Sequence, residues 1–216
     1  MTLEIKVISL DLDGVLFDGS SAAYVVARQV GLAEQYEALF QKMAQEKMSL
    51  KQSVIEGTRI WKGITIDRSY HSIVNSLPLM EGAEDAVNTL KSWDYEVGCI
   101  SSGVSQFFMG PLMERLDLDF GFTNILGSKN GAHDGTVKFI MGGAEKAETI
   151  LKYANQNGHS RKSIASVGNG LNDIELFNIS SFSIAFNPVD KSVSDAASVT
   201  VSSKDLRSIL PYFTKS

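Results

Sequence analysis

The sequence predicts an α/β fold: a Rossmann-like, mostly parallel sheet with an inserted block of helices. Three observations support this prediction. Short β-branched runs alternate with helical segments over most of the chain, which is typical of a parallel sheet with helices on both faces. Residues 20–77 interrupt this alternation, because they show helical patterns and no strand pattern. Three predicted strands end in polar, glycine-containing segments, where open α/β sheets bind ligands.

The first half of the chain predicts one strand and then four helices. The strand covers Ile5–Leu10 and ends at the polar sequence Asp11-Leu12-Asp13-Gly14. The helix signals are, in order, a Ser20-Ser21 cap with Gly31 as the stop, a periodic segment over Glu34–Glu46, an S-x-x-Q capping box at Ser49–Gln52, and an Asp67 cap with Pro78 beyond the helix end.

The second half predicts the remaining strands. Its first elements are a helix over Ala83–Trp93 and a strand over Tyr95–Ile100 that ends in the turn Ser101-Ser102-Gly103. A helical stretch over Val104–Leu116 follows, which Pro111 should kink or restart. The dipeptides Asn130-Gly131 and Asp134-Gly135 then mark a small hairpin before Val137–Ile140. Its last elements are a helix over Ala144–Asn157, a strand over Ser163–Val167, a short helix to Phe177, strands over Phe182–Phe186 and Val199–Val201, and a final helix capped by Ser203. We therefore expect a core of residues 1–16 and 79–216, with a helical cap of residues 17–78.

Composition excludes several classes of protein. Twenty Lys and Arg against 25 Asp and Glu leave a formal charge of −5, which argues against non-specific binding to nucleic acid or anionic membranes. No apolar stretch approaches the roughly 20 residues of a membrane-spanning helix, and the N-terminus does not resemble a signal peptide. The single cysteine, Cys99, cannot form an intrachain disulfide, and we expect it to be buried and unreactive. We expect a cytoplasmic protein, either a monomer or a homodimer.

Asp11 and Asp13 are candidate catalytic residues. They lie two positions apart at a strand end, so their carboxylates leave the chain on the same side and repel each other unless a cation or a proton intervenes. Both conditions suit phosphoryl transfer, with Asp11 as nucleophile, Asp13 as general acid and base, and Mg²⁺ offsetting the repulsion between carboxylate and phosphate. The alternative is a pair of solvated turn acids.

The other polar segments hold candidate partners for these carboxylates. Ser101–Gly103 offer a hydroxyl and backbone amides at a predicted helix start, which suits phosphate oxygens, or they form an ordinary cap. Lys146 either stabilises the negative charge of the same phosphate or is a surface lysine. Asn169, Asn172 and Asp173 supply oxygen ligands of the type that Mg²⁺ prefers, or form a turn and a helix cap.

Taken in order, these motifs resemble the haloacid dehalogenase-type phosphohydrolases, and within them the phosphoserine phosphatase-like branch. The motifs are Asp11-Leu12-Asp13-Gly14-Val15, Met80-Glu81-Gly82-Ala83, Ile100-Ser101-Ser102-Gly103, Lys146, and Gly168-Asn169-Gly170-Leu171-Asn172-Asp173. The resemblance covers nearly the whole chain, and the helical insert after the first motif matches the cap type of this branch.

The resemblance implies a role for each matched residue. It implies an Mg²⁺-dependent phosphomonoesterase with Asp11 as nucleophile and Asp13 as general acid and base. It assigns the phosphoryl group to Ser101, Lys146, the Ser102 and Gly103 amides and Asn172, and the metal to Asp11, Asp13, Asn169 and Asp173.

The chain also departs from the pattern of that branch. Asn169 stands where an aspartate metal ligand is usual, which predicts weaker Mg²⁺ binding. Ser20 and Gly57 stand where an acid and an arginine would hold the amino and carboxylate groups of phosphoserine, and Arg59 should face elsewhere. We therefore expect a small phosphorylated metabolite other than phosphoserine. A true phosphoserine phosphatase and a phosphate-binding regulatory protein with little turnover remain the alternatives.

Some residues carry no predicted catalytic role. The three histidines, His71, His133 and His159, lack metal-ligand spacing, and we expect them on the surface or in packing. A further set either lines the substrate face of the cap or packs between its helices: Met43, Met48, Leu50 and Trp61.

Overall fold

The computed structural model describes residues 5–213, whose centre is one twisted sheet. Within these residues seven strands pair in the order β4-β3-β2-β1-β5-β6-β7, and only the β3–β4 pair is antiparallel. The strands are β1 (Val7–Leu10), β2 (Glu96–Ser105), β3 (Phe120–Lys129), β4 (Ala132–Phe139), β5 (Ile164–Gly168), β6 (Phe182–Phe186) and β7 (Val199–Val201). The predicted α/β fold is confirmed.

Helices pack around this sheet. They are α1 (Ala22–Gln29), α2 (Ala33–Glu46), α3 (Leu50–Ile60), α4 (Arg68–Asn75), α5 (Ala83–Ser92), α6 (Gln106–Leu116), α7 (Gly143–Gln156), α8 (Ile174–Ile179) and α9 (Lys191–Ala196), with short 3₁₀ segments at Arg161–Ser163, Leu171–Asp173 and Leu206–Tyr212. No helix within residues 5–213 combines the length and the apolar character that crossing a membrane requires.

The order of the strands places β1 at the switch point of the sheet. β1 pairs with β2 on one side and with β5 on the other, both in parallel. Crossover connections diverge at such a point, which opens a crevice beyond the carboxyl ends of the central strands. The segments after β1 and β5, and the end of β2, therefore meet at one edge of the sheet.

The helices α1 to α4 follow β1 directly, and their predicted start signals are confirmed. Ser21 accepts a hydrogen bond from the Tyr24 N–H, the Ser49–Gln52 capping box forms in both directions, and Asp67 caps α4. Trp61 and Tyr70 from this block belong to the same buried cluster as Leu10 of β1. The division into a core and a cap at residues 16/17 and 78/79 stays a prediction, and residues 1–4 and 214–216 of that core lie outside the described residues.

The predicted turn at Ser101-Ser102-Gly103 is wrong, because β2 continues to Ser105. Neighbouring side chains hold this segment extended. The Asn124 amide donates to the carbonyl oxygens of Ser102 and Val104, at 2.8 and 2.9 Å, and the Thr123 hydroxyl donates to Val104 at 2.6 Å. Helix α6 therefore begins at Gln106, and these residues do not form a helix start.

Three smaller expectations also need correction. Helix α6 runs through Pro111 without a restart, so of the two predicted effects of this proline only a kink remains. Asp205, and not Ser203, caps the final helical segment. The hairpin turn at Asn130-Gly131 is confirmed, whereas Asp134-Gly135 lies inside β4, where the register shifts.

Candidate active site

Asp11 and Asp13 lie at the carboxyl end of β1, in the crevice that the topology predicts. The Asp11 N–H donates to the Val167 carbonyl of β5 at 2.9 Å, which fixes the backbone, and the residue is 7% exposed. Asp13 Oδ1 accepts a hydrogen bond of 2.6 Å from the N–H of Ala22, the first residue of α1. The positive end of that helix therefore stabilises the Asp13 carboxylate.

Lys146 is the cation of this site. It lies in the first turn of α7, is fully buried, and its Nζ is 2.7 Å from both Asp11 Oδ1 and Asp173 Oδ1. Burying an ammonium group is costly unless it is paired, and here two carboxylates pair with it. The surface-lysine interpretation is therefore wrong.

Asp173 organises the loop that follows β5. Its Oδ2 accepts hydrogen bonds of 3.0 Å from the N–H groups of Asn169 and Gly170, while its Oδ1 binds Lys146. The Asn169 side chain lies against the backbone of Gly14, where a Cβ atom would come within 2.1 Å of Asn169 Nδ2. Gly14 also has φ +77°, a conformation that favours glycine, and a side chain there would displace the Asn169 amide.

Ser101, Ser102 and Gly103 complete the site from the end of β2. Ser102 Oγ accepts from Asn172 Nδ2 at 3.0 Å, and Ser101 Oγ accepts from the Gly103 N–H at 3.1 Å. A Cβ at position 103 would lie 2.4 Å from Asp13 Oδ2, so any larger residue there would displace the Asp13 carboxylate.

These residues surround one pocket of about 420 Å³. Its walls include Asp11, Asp13, Ser101, Ser102, Gly103, Asn169 and Asn172. Lys146 and Asp173 lie behind this wall with no exposed surface. The structure thus brings together all nine residues that the sequence selects, from four separate segments, while their individual roles stay predictions.

Burial dominates the electrostatics of the two aspartates. It raises the pKa of Asp11 to about 7, with the negative charge of Asp173 adding to the effect and Lys146 opposing it. Burial also raises the pKa of Asp13 to about 6, although the Ala22 N–H and the charge of Lys146 both lower it. For Lys146, burial lowers the pKa but the charges of Asp11 and Asp173 outweigh it, so the pKa is raised and the lysine stays protonated.

The donor atoms suit a hard divalent cation. Asp11 and Asp13 offer carboxylate oxygens and Asn169 offers an amide oxygen beside them, and Mg²⁺ prefers oxygen ligands. Within residues 5–213 no group of three His, Cys, Asp or Glu side chains is arranged to hold a metal, so this set depends on the Asn169 amide and on backbone oxygen. Asp173 fits a supporting role, because both of its oxygens are already engaged.

Comparisons with known proteins agree with this geometry. A family model described as haloacid dehalogenase-like hydrolase matches residues 128–212. The chain is 29% identical over 210 residues to a phosphoserine phosphatase of Methanocaldococcus jannaschii, covering 96% of this chain and 97% of the relative. It is also 29% identical over 204 residues to one of Archaeoglobus fulgidus, covering 94% of this chain but only 58% of that protein's length.

One solved structure is similar over almost the whole chain. It is a phospho-aspartyl intermediate analogue of phosphoserine phosphatase and superposes with a TM-score of 0.81 at 27% identity, covering 98% of this chain and all of the other. The predicted resemblance to the haloacid dehalogenase-like hydrolases, and among them to phosphoserine phosphatases, is confirmed. These similarities also confirm the prediction of a phosphoric monoester hydrolase.

The structure shows where the residues that depart from the pattern of these relatives lie. Ser20 lines the pocket of Asp11 without contributing a charge, and Gly57 is buried in α3. Arg59 pairs with Glu56 at 2.6 Å, and 65% of its side chain is exposed, so it faces away as predicted. Cys99 is buried, as expected, and burial raises the pKa of its thiol well above the usual value.

One residue near the site has an environment that the sequence did not reveal. His133 of β4 is 3% exposed, and neither ring nitrogen has a hydrogen-bond partner among the described residues. The sequence predicts it only on the surface or in packing and carries no signal for a ligand-binding role. The nearby signal, the Asn130-Gly131 turn, places it on a strand but carries no information about its surroundings.

Proposed function

We propose that this chain is a magnesium-dependent phosphatase that hydrolyses a small phosphomonoester through an aspartyl-phosphate on Asp11. The observation that carries the proposal is the buried contact of Lys146 with Asp11 and Asp173, 2.7 Å in each case, at the switch point of the sheet. A buried carboxylate held by a lysine and open to a pocket on its other side is what nucleophilic attack on phosphorus requires. The similar solved structure, a phospho-aspartyl intermediate analogue, supports the same chemistry.

Asp11 acts as the nucleophile. Among the described residues its hydrogen bonds engage Oδ1 alone, through Lys146, which leaves Oδ2 for attack on the phosphorus atom. Lys146 opposes the effects of burial and of Asp173, both of which favour the protonated, unreactive form of Asp11. In the transition state the same ammonium group stabilises negative charge near the phosphoryl oxygens.

Asp13 acts as general acid and then as general base. Burial raises its pKa to about 6, so near neutral pH it holds or releases a proton readily. It protonates the leaving alkoxide when the Asp11–phosphorus bond forms. It then takes a proton from the water that attacks the aspartyl-phosphate, which restores Asp11 and releases phosphate.

The remaining residues bind and orient the substrate. The hydroxyl groups of Ser101 and Ser102 lie in the same pocket as Asp11, and Asn172 orients Ser102 through its amide. The Gly103 N–H is already bound to Ser101 Oγ, so a phosphate oxygen must displace that contact to use it. Magnesium, held by Asp11, Asp13 and Asn169, would supply positive charge against the phosphate.

The experiment that tests the proposal measures hydrolysis of p-nitrophenyl phosphate with Mg²⁺. We expect turnover in the native chain, its loss in Asp11→Asn, and no change in Asp18→Asn, which makes the same chemical change at an exposed position. Trapping of an acid-stable, alkali-labile phosphoprotein in the native chain but not in Asp11→Asn would identify the nucleophile. Equal turnover in Asp11→Asn and the native chain would refute the assignment.

The substrate is proposed to differ from L-phosphoserine, because neither Ser20 nor Gly57 supplies a charge. The relatives that bear the name phosphoserine phosphatase support the opposite choice. Comparing kcat/KM for L-phosphoserine with a panel of phosphorylated metabolites decides between the two. Phosphate binding without turnover of any ester would favour the regulatory alternative, which the amide of Asn169 supports.

A further inference from the structure

A second cavity, of about 170 Å³, adjoins the pocket of Asp11. It lies between α2, α3 and α4 on one side and the end of β2 and the β3–β4 hairpin on the other. Leu50, Ser102 and Gly103 line both spaces, so the two adjoin at these residues. The alcohol part of a phosphomonoester whose phosphorus lies at Asp11 would extend into this cavity.

No described residue lining this cavity is an Asp, Glu, Lys or Arg. Its walls include Met43, Leu50 and Trp61, three of the four residues expected either on the substrate face or in packing. A charged amino group or carboxylate in such a space loses its hydration without gaining an ionic partner, which is strongly unfavourable. The cavity therefore selects against a zwitterionic alcohol such as serine.

Aromatic rings form one end of the cavity, and most of their polar atoms are used. The Trp61 Nε1–H donates to the Tyr36 hydroxyl at 2.6 Å, and the Tyr70 hydroxyl is hydrogen-bonded to the side chain of Ser105. The rings of Trp61 and Tyr70 lie 5.6 and 6.0 Å from the ring of His133, centre to centre.

His133 is the exception, because its ring nitrogens are buried without a partner among the described residues. Its backbone is fixed, since its N–H donates to Ile64 at 2.9 Å and its carbonyl accepts from Gly63 at 2.8 Å. A neutral imidazole has one donor and one acceptor, and leaving either unsatisfied in the interior costs about 1–3 kcal/mol. A ligand that bonds this ring recovers that cost.

Taking the proposed phosphatase function as given, we infer that His133 is a specificity-determining residue that hydrogen-bonds the leaving group of the substrate. The structure assigns that leaving group to uncharged, ring-sized alcohols that carry a hydroxyl or amide substituent. The size follows from the volume, because an apolar cavity of roughly 150 Å³ holds one benzene ring. The ring packs on Tyr36 and Trp61, and its polar substituent meets His133.

The test uses a pair of esters that differ only in the polar substituent: benzyl phosphate and 3-(hydroxymethyl)benzyl phosphate. We expect the full chain to hydrolyse the second with a kcat/KM roughly three- to tenfold above the first, the usual effect of one added hydrogen bond, and well above L-phosphoserine. His133→Phe should remove the preference between the two esters. His71→Phe, at an exposed position of α4, should leave it unchanged.

A second measurement separates this inference from the proposed function. Binding of 1,3-benzenedimethanol, followed through the His133 imidazole resonance by NMR, requires no turnover. If p-nitrophenyl phosphate is not hydrolysed but this resonance shifts on binding, the proposed function fails and the cavity assignment stands. If p-nitrophenyl phosphate is hydrolysed, any of three results overturns the inference. The first is that L-phosphoserine is the best substrate, and the second is that His133→Phe lowers kcat/KM equally for both benzyl esters. The third is that the His133 resonance does not move.

Discussion

Replacing Lys146 with methionine removes the buried cation at the centre of the site while keeping a side chain of similar length. Its Nζ pairs with Asp11 and Asp173, and the exposed fractions of the three side chains are 0%, 9% and 0%. Removing one member of a buried ion pair leaves an uncompensated charge and costs about 3–5 kcal/mol. For a chain of this length, that loss lowers the melting temperature by roughly 6–20 °C.

The pH dependence of this loss has a definite sign. Lys146 lowers the pKa of Asp11 against the effect of burial, so without it this pKa rises further above that of the unfolded chain. When folding raises the pKa of a carboxyl group, its contribution to stability is fully present below the pKa of the unfolded state, near 4. The contribution is lost as the pH rises through the pKa of the folded state. The difference in unfolding free energy between the native chain and Lys146→Met should therefore be small near pH 4 and grow toward pH 8.

Urea unfolding at several pH values, in EDTA so that no divalent cation contributes, measures this difference. Lys152→Met is the matched control, because it makes the same change at an exposed position of α7. The reasoning is refuted if Lys146→Met costs no more than Lys152→Met. It is refuted equally if the loss grows toward acid pH.

Three further predictions concern single atoms of the site and the adjoining cavity. Gly103→Ala places a Cβ 2.4 Å from Asp13 Oδ2 and should lower kcat by roughly 100-fold, whereas Gly110→Ala, with open space around it, should not. Asn169→Asp adds a negative charge beside the proposed magnesium and should tighten its binding roughly tenfold or more in a calorimetric titration; unchanged affinity contradicts the ligand assignment. Burial lowers the pKa of His133 to about 4, so the folded chain favours the neutral ring. This preference adds about 3 kcal/mol to the free energy of unfolding above about pH 6.5, and the addition should be lost as the pH falls through 4. Acid unfolding of His133→Phe should lack this part of the slope, and an unchanged slope counts against it.

Local chemistry made much of the fold predictable. Ser21, Asp67 and the Ser49–Gln52 box mark helix starts because each supplies an oxygen to backbone N–H groups that lack a partner within the helix. The Asn130-Gly131 turn was predictable because both residues tolerate positive φ. The extension of β2 to Ser105 was not, because it depends on hydrogen bonds from Thr123 and Asn124, about 20 positions away.

The same distinction applies to the site. Asp11 and Asp13 carry their chemistry in their own spacing. The carboxyl ends of parallel strands bring Asp173 toward them, so the proximity of these residues was predictable from the sequence. Whether Lys146 is a buried cation or a surface lysine was left open, because the answer depends on carboxylates 135 and 27 positions away.

His133 shows where pattern analysis fails for a physical reason. Its burial arises from packing against rings of the helical block, Trp61 and Tyr70, and against Phe107 of α6, and no periodicity relates those three positions. The absence of charge around it is likewise a property of walls drawn from distant segments. A catalytic motif can thus be read from its own spacing, whereas the chemistry of a leaving-group cavity emerges only from the packing of the whole chain. The identity of the substrate must therefore be sought in that cavity and not in the motifs that the chain shares with its relatives.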